Sequence, residues 1–427
     1  MPSNPALPLI APSATIDVAS VVAGLSGGLD STVLLHRLRD GTANLRAIHV
    51  HHGLHPDADG WAEHCAALCM SLDVPLKIVR VEVDRDSGLG LEGAARAARH
   101  AAFAAELQDG EVLALAHHRD DQAETFLLRA LRASGPDGLA AMRPWRRYQN
   151  GWLWRPLLET PRADIRAYAR AHELAWIEDP SNADNTPDRN FLRNEVMPVL
   201  RQRWPQAAAA LARSAELVAR MSDRHAHETD LELQACRRDD GDLDAATLQR
   251  LPASLRADVL RRWVTGTGLP PLPASGIDAI EWQLLPARVD AQAEYRWQQA
   301  RIMRWRDLLH AEPLHPPLAA DFRVEWNGRQ PLPLPDGTRL ELLGTPAFDH
   351  PVRVQARRGG ERIRLPGRDH SHSLKHALQQ ADVPPWLRER LPLLIEGDEV
   401  LAAGDLLSAR LRDWLQERHA TLHWRYD

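Results

Sequence analysis

The stretch "VVAGLSGGLDSTVLLHRL", Val21 to Leu38, passes from an apolar run through a glycine pair into a helical repeat. Val21 to Leu25 has the composition of a buried strand, while Val33, Leu34, Leu35 and Leu38 recur at helical spacing. Ser26 to Asp30 is therefore a strand-to-helix turn. Gly27 and Gly28 let a ligand approach the backbone, and the unused N–H groups at the helix start favour an anion. A phosphate is the natural guest. A Walker loop would carry Lys-Ser or Lys-Thr after its last glycine, whereas Leu29-Asp30-Ser31 follows here. A carboxylate beside phosphates implies a bridging Mg²⁺, with Asp30 as its protein ligand. Asp30 as the N-cap of an ordinary helix is the plainer alternative.

Outward from this turn, "LRAIHVHH", "LKIVRVEV", "EVLALAHH" and "WLWRPLL" have strand character and alternate with helical stretches such as "EGAARAARHAAFAAEL" and "AETFLLRAL". The rhythm predicts an α/β domain with an open parallel, Rossmann-like sheet, whose ligands bind beyond the carboxyl ends of the strands. From about Trp204 the chain turns alanine- and arginine-rich, and a separate helical domain is expected to run to "AEYRWQQARIMRWRDLLH". The proline-rich "HAEPLHPPLAADF" then leads into a small α+β tail. The expected domains are 1–213, 214–318 and 319–427.

The 427 residues carry a net charge of -6, so a nucleic-acid partner would have to be met by a local basic patch. Among 52 basic residues only Lys77 and Lys375 are lysine. Arginine stays protonated, so an amine nucleophile must arrive with a substrate. Cys65, Cys69 and Cys236 form no Cys-x-x-Cys and suit reduced cytosolic thiols. Met1 to Ala11 lacks the basic start of a signal peptide, and no apolar run approaches bilayer length, so the expected location is cytoplasmic with no membrane partner.

"LALAHHRDDQAETFLL" places His117, His118, Asp120 and Asp121 where a strand gives way to a helix, with Asp121 and Glu124 on one helical face. The same Asp-x-x-Glu spacing also suits a capping box. His49, His51, His52 and His55 invite a zinc reading, but they alternate along a strand and lack a metal-spaced cysteine pair. "EDPSNADNTPDRNFLRNEV" is a polar loop followed by Arg189 and Arg193, four apart. In the tail, Arg353, Arg357, Arg358, Arg362, Arg364, Arg368 and Lys375 supply the basic patch, and Trp386 lies among further arginines, as suits RNA unless it is core.

Ser26 to Ser31, "HHGL", "HHRDDQAETFLLR", "SGPDGLAAM", "RPLL", "EDPSN", "RNFLRN", "GGERIRLPGR" and "VPPWLRERLPLL" together resemble the bacterial tRNA(Ile)-lysidine synthetases, of the PP-loop ATP-pyrophosphatase family. The resemblance spans almost the whole chain. It implies a carbon–nitrogen ligase: ATP adenylates O2 of the first anticodon cytidine of a minor isoleucine tRNA with a CAU anticodon, and free L-lysine then displaces AMP. It implies that Ser26, Gly27, Gly28, Leu29, Asp30 and Ser31 hold ATP and Mg²⁺, and that Arg99 stabilises charge during adenylation. It further implies that Asp121, Glu124 and Arg189 take the lysine, with Asp121 also catalytic. His117, His118 and Asp120 stay open as the group that deprotonates the amine. The helical domain and tail would grip the tRNA, and a homodimer is compatible with the resemblance. A tRNA thiolase of the same superfamily would need sulfur-carrying cysteines that this chain lacks.

Overall fold

Strands β1 (Val21–Gly24), β2 (Leu45–His51), β3 (Leu76–Arg80), β4 (Val112–Ala114), β5 (Trp145–Tyr148) and β6 (Gly151–Trp154) form one sheet in the order β3-β2-β1-β4-β6-β5. The structure is a computed structural model and describes residues 7–11, 18, 20–42, 44–88, 90–288, 293–368 and 370–426. The Met1 to Ala11 segment discussed above lies partly outside them. Every neighbouring pair runs parallel except β5, which is antiparallel to β6. The expected open parallel sheet is present, with β5 as an added edge strand. Its "WRRY" is too short and too charged to announce itself as a strand.

A parallel sheet must be covered on both faces. Alternate residues of β1 divide accordingly: Val21 and Ala23 join Val33, Leu34 and Leu38 of helix α1 (Leu29–Arg39), while Val22 joins Ile48, Leu113 and Leu153. Helix α2 (Ala58–Ser71) contributes Cys65 and Cys69 to the first core, and helix α3 (Gly90–Glu106) contributes Phe103 to the second. Both cysteines are unpaired, and burial pushes their thiols up to about 12 and about 11, so they pack as apolar side chains. Helix α4 (Arg119–Leu131) follows β4. The loops after β1, β2 and β4 consequently open at the same edge of the sheet.

The chain divides into two compact units, Met1–Ala226 and His227–Asp427, within the continuous helix Ala207–Cys236. The expected 213/214 boundary also falls inside this helix. In the second unit, helices Ala253–Gly266 and Ala274–Ala279 supply the expected helical character. "AEYRWQQARIMRWRDLLH" is not helical, however. It folds as β8 (Ala293–Trp297), β9 (Ala300–Trp305) and the start of β10 (Leu308–Pro313), which with β7 (Leu243–Asp244) make an antiparallel sheet. Trp297 pairs with Ala300 and Trp305 with Leu308, so both hairpin turns contain only two residues. Gln298 and Arg306 take φ of +46° and +56° in those turns, positions usually filled by glycine or asparagine. Without that signal, the helix-favouring composition misleads.

The tail is an α+β module of short strands with helices Leu374–Gln380 and Ala409–Glu417. A buried ion pair joins it to the preceding sheet: Glu312, which accepts from Arg301 of the same sheet at 2.7 Å, also accepts from Arg390 of the tail at 2.8 Å. Among the described residues no helix is long and apolar enough to cross a membrane.

Candidate active site

The turn after β1 is closed by its own serines. The Ser31 hydroxyl donates to Gly28 O at 3.1 Å, and the Ser26 and Ser31 oxygens lie 3.0 Å apart. Gly27 has φ +84°, and a Cβ there would sit 2.6 Å from Ile177 Cδ1. Glycine is therefore required for both the dihedral angle and the space. Gly28 is extended, with φ -73°, and a Cβ would meet nothing closer than 3.6 Å. Ile177 N–H donates to Gly27 O at 2.9 Å, which joins the "EDPSN" loop to the glycine turn. The two segments wall a cavity of about 1100 Å³ at the carboxyl edge of the sheet, large enough for a nucleotide.

Ser26, Gly28, Leu29, Asp30, Ser31 and Arg99 all line that cavity, so residues from two separate motifs meet there. Asp30 Oδ2 is 3.6 Å from His118 Nε2, and Oδ1 is 3.9 Å from Arg162 Nε. Oδ1 is nevertheless buried without a hydrogen-bond partner. A hard, unsatisfied oxygen beside a phosphate-sized turn fits Mg²⁺ held jointly with a nucleotide. Among the described residues no group of three or more histidine, cysteine or acidic side chains could hold a metal ion unaided.

Helix α4 begins with a capping box, but not at the expected pair. His118 is the N-cap: its Nδ1 accepts from Asp121 N–H at 3.2 Å, and the Asp121 carboxylate accepts from His118 N–H at 3.0 Å. Glu124 takes no part in the cap. Instead, Asp121 Oδ1 accepts from Arg189 Nη2 and Arg193 Nη2, both at 2.9 Å. Glu124 accepts from Arg189 Nε at 3.0 Å and from Arg193 Nε at 2.8 Å. Arg189 lies in the short helix Asp188–Phe191 and Arg193 in the π-turn Leu192–Val196, so one continuous coil aims both guanidiniums the same way. Asp121, Glu124 and Arg189 thus meet as expected, but as partners of one another.

Burial opposes the Asp121 charge, yet His118 and the two guanidiniums hold its carboxyl well below the usual range. Burial would lower His118 as well, and Asp121 and Asp30 outweigh it to raise its pKa. His117 is pushed down to about 3 by burial, and its Nδ1 accepts from Arg155 Nε at 3.3 Å. Asp120 is bound to Arg201 and accepts from Arg162 N–H at 2.9 Å. Of the two histidines among the candidate bases, His118 has its basicity raised and His117 has it lowered.

Two participants escaped the sequence. Arg162 reaches Asp30 from a distant helix and carries no local signal. Arg96 lines the cavity three residues before Arg99, and that i, i+3 spacing was the available clue. In the tail, Trp386 is only 5% exposed and stacks on His310, so it is core and not a platform for an RNA base.

Comparison with known families gives matches to three models along the chain. The family model described as "PP-loop domain" matches residues 9–200, the "TilS substrate binding domain" matches 243–310 and the "TilS substrate C-terminal domain" matches 352–424. A "tRNA(Ile)-lysidine synthase" from Xanthomonas axonopodis pv. citri is 56% identical over 415 residues, covering 95% of this chain and 94% of the relative. The protein of the same name from Xylella fastidiosa (strain Temecula1) is 52% identical, covering 95% of each chain. That from Pseudomonas aeruginosa is 44% identical, covering 89% of this chain and 88% of the relative.

Proposed function

The chain belongs to the tRNA(Ile)-lysidine synthase family, carbon–nitrogen ligases with an ATP-using PP-loop domain, and we propose that it joins free L-lysine to C2 of the first anticodon cytidine of a CAU-anticodon isoleucine tRNA. The observation that carries this reading is the single cleft lined by the Ser26–Ser31 turn, Arg99 and Arg193. It sets a phosphate-binding turn beside a cluster of charges suited to an amino acid.

In the first step O2 of cytidine attacks the α-phosphorus of ATP and pyrophosphate leaves, with Arg99 offsetting the negative charge that builds up. Asp30 and the ATP phosphates would hold Mg²⁺, which when bound neutralises the departing pyrophosphate. In the second step the lysine ε-ammonium gives up a proton, with His117, His118 and Asp120 the candidate acceptors; the freed amine attacks C2, the bond from C2 to the adenylate oxygen breaks as AMP leaves, and the nitrogen loses a second proton. Free lysine arrives protonated, with an ε-amine pKa of about 10.4. Its ammonium displaces one guanidinium from Asp121 and Glu124, and the freed Arg189 or Arg193 takes the lysine carboxylate. The exchange keeps the ε-ammonium, the carboxylate and both guanidiniums paired. Segments 214–318 and 319–427 grip the tRNA, the latter through exposed Arg358, Arg364, Arg368 and Lys375. The reaction belongs in the cytoplasm, where ATP and tRNA are found.

The test is incubation with ATP, labelled lysine and total bacterial tRNA. ATP-dependent label in tRNA, with AMP and pyrophosphate released, supports the assignment. Absence of label while ATP is consumed would sink it.

A further inference from the structure

Asp30 and Arg162 both line the nucleotide cleft. Arg162 Nε lies 3.9 Å from Asp30 Oδ1, close enough for Coulomb attraction but too far for a hydrogen bond. Both atoms are buried, and neither has a hydrogen-bond partner. The contrast within the same site is Arg193, whose Nε and Nη2 each donate to Glu124 at 2.8 Å. That fork is a finished ion pair. Asp30 and Arg162 offset each other's charge while leaving a donor and an acceptor unused.

Arg162 is fixed from behind. It opens the helix Arg162–Ala171, and its backbone N–H donates to Asp120 Oδ2 at 2.9 Å. The other Asp120 oxygen accepts from Arg201. Beside this contact Arg119 N–H donates to Thr160 O at 3.0 Å, so the start of α4 and the start of the helix Arg162–Ala171 are stitched together. The Arg162 backbone is thus held at the cleft, while its side chain, 37% exposed, is free to turn. Arg166, one turn further along the same helix, lines the same cleft.

We infer that Arg162 is a counter-ion that Asp30 exchanges for Mg²⁺ when ATP enters: the guanidinium covers the carboxylate in the empty cleft and passes to the ATP phosphates as the metal arrives with them. Asp120 is the positioning residue that keeps Arg162 within reach of both. The exchange leaves Asp30 neutralised before and after, and it gives the unused Nε an acceptor. A divalent cation arriving alone meets a carboxylate already covered and offers the displaced guanidinium no phosphate, so metal and nucleotide enter together. The inference rests on the function proposed above, in its assignment of the cleft to ATP and of Asp30 to Mg²⁺, and adds the order in which charges change partners.

The test uses full-length protein and two separate probes: Mn²⁺ alone, followed by the electron paramagnetic resonance signal of the free ion, and ATP with a chelator, followed by equilibrium dialysis. Arg162→Gln should bind Mn²⁺ alone about fivefold or more tighter and metal-free ATP about tenfold or more weaker, because one substitution uncovers Asp30 and removes a phosphate partner. A merely structural defect lowers both affinities. Arg162→Lys, which keeps the charge, should hold Mn²⁺ binding at the wild-type level. Asp120→Ala should shift both affinities in the same directions as Arg162→Gln, by a smaller factor. Adding Asp30→Asn to Arg162→Gln should abolish the gain in Mn²⁺ binding.

Loss of both affinities in Arg162→Gln, no change in either, or a gain in Mn²⁺ binding that survives Asp30→Asn overturns the inference and leaves the proposed function standing. Wild-type affinities in Asp120→Ala remove Asp120 as the positioning residue. Failure of the wild-type protein to bind ATP with or without Mn²⁺ removes the proposed function and the inference together.

Discussion

The imidazole of His310 lies flat on the indole of Trp386, with ring centroids 4.1 Å apart and planes 2° from parallel. His310 belongs to β10 and Trp386 to the tail helix Pro385–Arg388, so the contact joins the two parts of the second unit. Burial opposes protonation of His310, but hydrogen bonding to Asp242 at 2.7 Å and the nearby Glu312 raise its pKa to about 9. The stacked cation gains further from the indole face.

A folded-state value above the ordinary 6.5 means that this stabilisation is complete below pH 6.5 and is lost as the pH rises through about 9. Its full size is at most about 3 kcal/mol. The second unit should therefore melt at a lower temperature above pH 9 than below pH 6.5, and His310→Gln should remove most of that difference. Calorimetry of both full-length proteins across the range checks this; equal pH dependence would exclude His310 as the source.

Asp121→Asn leaves Arg189 and Arg193 with a partial counter-charge in a buried setting. Urea denaturation should show a loss of about 3 kcal/mol, well beyond the effect of a weakened cap. Lysine incorporation should fall further than pyrophosphate release, because adenylation precedes lysine binding, and Glu124→Gln should behave alike. Recovery of incorporation at high lysine identifies an amine-binding defect. Normal incorporation at low lysine in both variants would move the lysine site elsewhere.

The two glycines of the turn should respond differently. Gly27→Ala meets both the positive φ and Ile177, and should cost about 1 to 3 kcal/mol while abolishing ATP binding. Gly28→Ala has space and an ordinary dihedral angle, so thermal stability should change little. Equal melting temperatures for the two variants would contradict the geometry of the turn.

Asp30→Asn keeps the size of the side chain at a ligand-facing position and should fold normally. The unpartnered Oδ1 would lose its charge, and with it the placement of Mg²⁺. Pyrophosphate release with tRNA present is expected to drop by about two orders of magnitude, equivalent to about 2.7 kcal/mol. Release near the wild-type rate would remove Asp30 from the mechanism.

Val21 to Leu38 made the sheet, its glycine turn and the nucleotide edge legible from sequence, because apolar period and glycine placement are local properties that neighbouring residues impose. The same local logic failed at "AEYRWQQARIMRWRDLLH", where Gln298 and Arg306 occupy turn positions through pairing of the flanking strands, and at Trp386, whose burial depends on His310. Spacing brought Asp121 and Glu124 to notice but not their partners. Arg189 stands 68 positions beyond Asp121, and the chain between them returns to the site through the polar loop after Ile177, whose N–H donates to Gly27 O. Sequence thus determined which chemical groups were available and which stretches could form strands or helices. Tertiary structure decided which charges are neutralised and which, like Arg155, meet neutral acceptors, because Coulomb energy depends on distance in space and on burial, and neither is a function of position along the chain.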